Sequence, residues 1–245
     1  MKRKYGLAFL LAAALACPVA AESLQEAAGK VLPPSMTLTA LSGERSISFQ
    51  GETFPYQAWQ LLMRGRETDP VLAGYVFEAE ISATDHAALA PFFHYGLTKD
   101  DYRGLSEVNK AFFDTASPLH RALLQSVSDW ADAMMGGADA HLQTTLSDLE
   151  PIRRVSGVKS ILYTAGARLT FSSEGIILPL YAKGFLYRDG DAYRGLLLLV
   201  PDESKRPLSY AMEDMAIEAA DAAAARDRKA FIENLSREHG ANKKN

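Results

Sequence analysis

Residues 185–200, FLYRDGDAYRGLLLLV, decide the fold. Two apolar runs flank Asp189-Gly190-Asp191, and the stretch has two chemical meanings. Asp189 and Asp191, one residue apart, have a spacing that often serves a divalent cation. Asp189-Gly190 is also a good two-residue hairpin loop, because a type I′ turn needs positive φ at both central positions. A calcium site gathers roughly six to eight oxygens, yet no further Asp or Glu lies close in sequence, and Arg188 competes for Asp191. The stretch therefore reads as a corner between two strands.

With Asp189 and Gly190 as the loop, Arg188 faces Asp191, Leu186 faces Tyr193, Gly184 faces Gly195, Ala182 faces Leu197 and Leu180 faces Leu199. One face of this hairpin is then solidly apolar. The other carries Tyr181, Lys183, Phe185, Tyr187, Arg194, Leu196 and Leu198, a mixture that suits a strand covered at one end and wet at the other. Gly184 beside Gly195 would leave bare backbone against which a helix or a ligand could pack.

Outward from the hairpin, residues 159–173 continue the β character. After Pro201, an Ala-rich stretch reads as a long helix ending at Gly240, with Met212, Met215, Ala216, Ala219 and Ala223 as a sheet-facing stripe. Beyond Ala225 that helix is far more charged, and its second half is expected to project from the body or lie loosely on it. Upstream, residues 101–135 read as two helices broken at ASPLH, with Ser117 as N-cap and Pro118 at the first helical position. Residues 71–82 read as a buried strand, and 37–41 with 45–49 as a hairpin turning at Ser42-Gly43. Residues 22–30 read as a short helix or a frayed lead ended by Pro33-Pro34, whereas 56–63 and 141–155 are ambiguous. The fold class is α+β: a mainly antiparallel sheet packed by helices, α/β/α sandwich-like, with a long C-terminal helix. One domain is expected over 22–240, with a disordered tail at 241–245.

The N-terminus carries Lys2, Arg3 and Lys4, then an apolar run too short for a bilayer of about 30 Å, then small residues at Val19 and Ala21. That is the pattern of a signal peptide over 1–21 cleaved after Ala21, giving a periplasmic or extracellular protein. Cys17 in ALAC offers a second route, a lipid anchor, but Ala14 and Pro18 depart from the lipobox pattern. Cys17 is the single cysteine of 245 residues, so the chain has no internal disulfide and no cysteine-rich metal site.

The formal charge is −4 with no basic stripe, which argues against nucleic acid as a partner. Membrane contact is expected only if Cys17 is acylated. No nucleotide loop, dinucleotide fingerprint or serine-hydrolase elbow is present, so neither a cofactor nor a catalytic residue is assigned. Asp85, His86, His94 and Asp101 are the candidate binding residues, since His and Asp in one short segment could hold a metal or hydrolyse a bond.

Residues 178–216, LPLYAKGFLYRDGDAYRGLLLLVPDESKRPLSYAMEDMA, have a strand, a tight turn, a second strand ending in Val-Pro and a packed helix. This block resembles the last hairpin and closing helix of PsbP-like α/β/α sandwich modules, whose members are mostly non-catalytic accessory proteins of exported compartments. The expectation is an exported accessory or ligand-binding module with an unknown protein or small-molecule partner; the alternative is an extracytoplasmic Asp/His hydrolase.

Overall fold

The computed structural model describes residues 21–43, 45–49, 52–65, 69–82, 99–134 and 143–242. These residues form one nine-stranded antiparallel sheet between two helical layers. In chain order the elements are α1 (Ala21–Val31), β1 (Met36–Ala40), β2 (Arg45–Phe49), β3 (Glu52–Met63), β4 (Val71–Ser82), α2 (Lys99–Phe113), α3 (Pro118–Met134), β5 (Gln143–Ser147), β6 (Arg153–Ser156), β7 (Ile161–Ser173), β8 (Ile176–Asp189), β9 (Ala192–Pro201) and α4 (Lys205–Asn242), with a single 3-10 turn before α4. The strand order is β1-β3-β4-β9-β8-β7-β5, with β2 also on β3 and β6 also on β7.

Each outer edge of the sheet is thus two short strands in line against one long strand. That arrangement overturns the hairpin expected at Ser42-Gly43. β1 pairs with the second half of β3 and β2 with its first half, and they do not pair with each other. The chain bends but keeps its direction, because Leu41 donates its N–H to Ala58 O while Gln57 Nε2 donates to Leu41 O, both at 2.8 Å. Alternation in sequence gave the strands; it carried no information about which neighbour each would choose.

The central hairpin keeps its predicted faces but changes its register. Asp189 pairs with Ala192, Tyr187 with Arg194 and Leu186 with Gly195, so the loop is Gly190-Asp191. Gly190 has φ +63° and Asp191 lacks a positive φ, the pattern of a type II′ turn with glycine first. Asp189 stays in the strand because its carboxylate accepts from Arg194 Nε and Arg226 Nη2, each at 3.0 Å. Gly184 and Gly195 are consequently not neighbours: Leu197 lies opposite the first and Leu186 opposite the second. The true type I′ signature falls one hairpin earlier, at Glu174 and Gly175, both with positive φ.

On one face, Tyr56, Phe77, Leu186 and Leu197 pack beneath Phe112, Leu123 and Trp130 of α2 and α3. Ser117 caps α3 as expected, its Oγ accepting the His120 N–H at 3.0 Å. Trp130 sits edge-on to Phe77 and donates its indole N–H to Tyr56 OH. On the other face, Trp59, Val76, Phe185, Leu196 and Leu198 pack beneath Leu24 of α1 and the Met and Ala stripe of α4. All seven residues of that face expected to run from a covered to a wet end, Tyr181 through Leu198, are buried, contrary to expectation. Lys183 and Arg194 are both buried in it, because acids from the sheet and α4 reach them there. The ambiguous segment 56–63 lies in β3, and 141–155 contributes β5 and β6. α4 runs two residues past Gly240, to Asn242, so part of the expected tail is helical. No described helix is long and apolar enough to cross a membrane.

Candidate functional site: the layer under α4 and the groove at its exit

Two groups of charged residues on the α4 face invite a chemical reading. In the first, Lys183 Nζ lies 2.9 Å from Glu213 Oε2, which also accepts from Arg153 Nη2. Burial opposes ionisation of Glu213, but these two donors outweigh it and hold its pKa below the usual carboxylate range. In the second, Arg194 reaches Glu80 at 2.7 Å and Asp189 at 3.0 Å, and Arg226 joins Asp189 at 3.0 Å. Tyr187, beside Arg194 in β8, has its pKa raised by burial and then by the charge on Glu78.

Glu78 is the odd member of this layer. It is 0% exposed, and neither carboxylate oxygen has a hydrogen-bond partner; Trp59 Nε1 and Arg194 Nη1 in the same layer also lack one. Burial pushes the Glu78 pKa up to about 8; the Arg194 charge and the nearby indole of Trp59, which stops short of a hydrogen bond, offset this only in part. Arg194 already serves two carboxylates, so Glu78 takes a proton instead of a counter-ion. A perturbed carboxylate is a common mark of a catalytic centre. Here it is sealed between the sheet and the alanines of α4, where no substrate can touch it.

Where α4 leaves the body the surface is open. Asp221 on α4 accepts the N–H of Val158 and Lys159 at 2.9 and 2.8 Å and the hydroxyl of Ser160 at 2.7 Å. Burial works against its ionisation, but these hydrogen bonds prevail and its pKa is lowered. Gly157 makes this possible, since a Cβ there would stand 2.6 Å from Asp221 Oδ1. The 157–160 loop is thereby clamped to the helix. Next to the clamp is a groove of about 460 Å³ lined by Lys159, Ala225, Arg228, Lys229, Ile232 and Glu233.

The apolar side chains near this groove lie beyond the part of α4 that packs onto the sheet. At 3.6 residues per turn, the buried face through Leu208, Met212, Met215, Ala216, Ala219, Ala220 and Ala223 would continue through Asp227, Ala230, Phe231, Asn234 and Arg237. Phe231 lies at the edge of that face, and Ile232 and Leu235 lie off it. They are 63%, 53% and 39% exposed, and Val158 in the clamped loop is 91% exposed. The second half of α4 therefore leaves large apolar side chains in solvent.

Of the residues singled out in sequence, Asp85, His86, His94 and Cys17 lie outside the described residues. Asp101 falls in the first turn of α2, and Ala21 is the first residue of α1. Of the candidate set Asp85, His86, His94 and Asp101, the described residues thus include Asp101 alone. Asp189 and Asp191 are a corner, Asp189 being fully engaged by two arginines. Among the described residues, no group of three or more His, Cys, Asp or Glu could hold a metal ion. Sequence reasoning missed Val158, Lys159 and Asp221. The one available signal was a lone acid interrupting the alanines around 221. The chain matches no protein-family model, and no curated relative is found.

Proposed function

We propose that this chain is an exported, non-catalytic accessory module that binds a ligand or partner through the groove at the exit of α4. The observation that carries the reading is the pairing of exposed apolar side chains at the end of α4 with a cationic groove built from two separate elements. The buried ionisable groups support it further, since their partners are one another or, for Glu78, a proton. The likeness to PsbP-like accessory modules adds weight to the same reading, as does the signal-peptide pattern, although fold alone does not fix function.

The test has two arms. Mass spectrometry of the chain purified from a bacterium expressing the full precursor should find an N-terminus at Glu22; an acylated Cys17 would replace free export with a lipid anchor. The same protein, given chromogenic ester and phosphate substrates with and without divalent cations, should show no turnover. Hydrolysis abolished by Asp85→Asn or His86→Ala would overturn the non-catalytic reading in favour of an Asp/His hydrolase.

A further inference from the structure

We propose that the groove receives an acidic, apolar-bearing segment of a partner protein, an inference that rests on the binding-module reading above. The sign of the charge comes first. Lys159 approaches from the clamped loop, Arg228 and Lys229 from α4, and the single acid in the lining, Glu233, stands 4.0 Å from Lys229. Asp221 makes no ion pair with Lys159, since its oxygens accept two backbone N–H groups and a hydroxyl. Its negative charge stays beside the loop, however, and leaves the three cations in excess over two acids. Among the described residues neither Lys159 nor Arg228 has an ion-pair partner. A cationic spot on a chain of net charge −4 attracts anions and turns away copies of its own body.

Charge alone would admit a free phosphate, but the lining would not. Ala225 and Ile232 form part of the wall, while Phe231 and Leu235 are exposed on the same helix outside the lining. A small anion would leave all of them in water. The volume, about 460 Å³, is in the range of ligand pockets, and only an elongated ligand could fill it and also reach Leu235. A lipid surface fits less well, because the cations line a concavity between a loop and a helix. An acidic peptide carrying apolar residues at helical or strand spacing satisfies each feature.

The probe is a random 12-residue peptide library displayed on phage, selected against the full chain and compared with the Lys159→Glu/Arg228→Glu double variant. Enriched peptides should be acidic with two or more large apolar residues, and should bind the variant at least tenfold more weakly. Ile232→Asp should weaken them similarly. All three positions are at the surface, so an unchanged melting temperature will show that the variants are folded. Peptides without an acidic excess, equal binding to the double variant, or no enrichment at all would overturn the inference. So would binding confined to phosphatidylglycerol vesicles, which would give the groove to a membrane. None of these outcomes touches the non-catalytic reading, which the turnover assay judges separately.

Discussion

Asp227 Oδ2 accepts the backbone N–H of Gly190 at 3.1 Å, so the central hairpin's turn is tied to the point where α4 leaves the body. Before this contact one face of α4 packs on the sheet, and residues 228–237 are exposed throughout. Removing residues 228–245 should therefore leave stability nearly unchanged, within about 0.5 kcal/mol as for other surface changes. Urea unfolding of the full and shortened chains checks this; a loss of several kcal/mol would mean that the second half is part of the fold. Gel filtration of the same pair tests whether the exposed stripe joins two copies, in which case the shortened chain elutes later than its lost mass explains.

Gly190 and Gly74 are both required, for different reasons. Gly190 has φ +63°, and an added Cβ would have only Asp227 Oδ1 near it, at 3.7 Å. Gly190→Ala should cost about 1–2 kcal/mol, the penalty of a left-handed backbone for an L-residue. Gly74 carries no such φ, but a Cβ there would stand 2.5 Å from Val200 Cγ1 and 2.6 Å from the Leu199 carbonyl. Because one neighbour is backbone, Gly74→Ala should cost more than Gly190→Ala, about 2–3 kcal/mol as for overpacked cores. Equal losses in urea titrations would contradict the distinction.

Glu78 should make the protein less stable as pH rises. Its folded pKa, about 8, lies above the ordinary value of 4.5, so between those values the folded state holds a proton that the unfolded state has released. Stability is greatest below about pH 4.5 as far as this group is concerned, falls through the window and levels off above about pH 8. At about 1.4 kcal/mol per pKa unit the fall amounts to a few kcal/mol. Glu78→Gln keeps the shape and removes the proton. The variant should match wild type near pH 5 and exceed it at pH 8.5; parallel pH profiles would show that Glu78 is not the source.

How much of this could be read from the chain differs by level. The apolar runs on either side of residues 189–191 gave the hairpin and its two faces, because slipping a register by two residues leaves every side chain on its own side. They did not give the turn. Asp189-Gly190 satisfies local turn preference, but Arg226, 37 residues away, and Arg194 together hold Asp189 in the strand. Likewise Glu78 in VFEAEIS looks like the polar half of an alternating strand, and only the arrival of α1 and α4 buries it. The groove was half legible: the change of character after Ala225 showed in composition, whereas Lys159 reaches the site through a contact with Asp221 across 62 residues.

The Lys183–Glu213 pair offers the sharpest test of whether the charged layer serves the fold. Both groups are largely shielded, and Lys183 also lies 5.7 Å from the centre of the Phe185 ring. Glu213→Leu would strand a buried ammonium, because Glu213 is its only ion-pair partner among the described residues; the expected cost is about 3–5 kcal/mol. Lys183→Met should cost less, since Arg153 remains to hold Glu213. The double variant Lys183→Met/Glu213→Leu should recover most of the loss, because an apolar pair of similar volume suits a layer already lined by Leu198 and Met212. A four-corner cycle of urea titrations gives the coupling directly. Additive single losses would mean that the two side chains act independently, and the layer would then have to be explained by something other than mutual neutralisation.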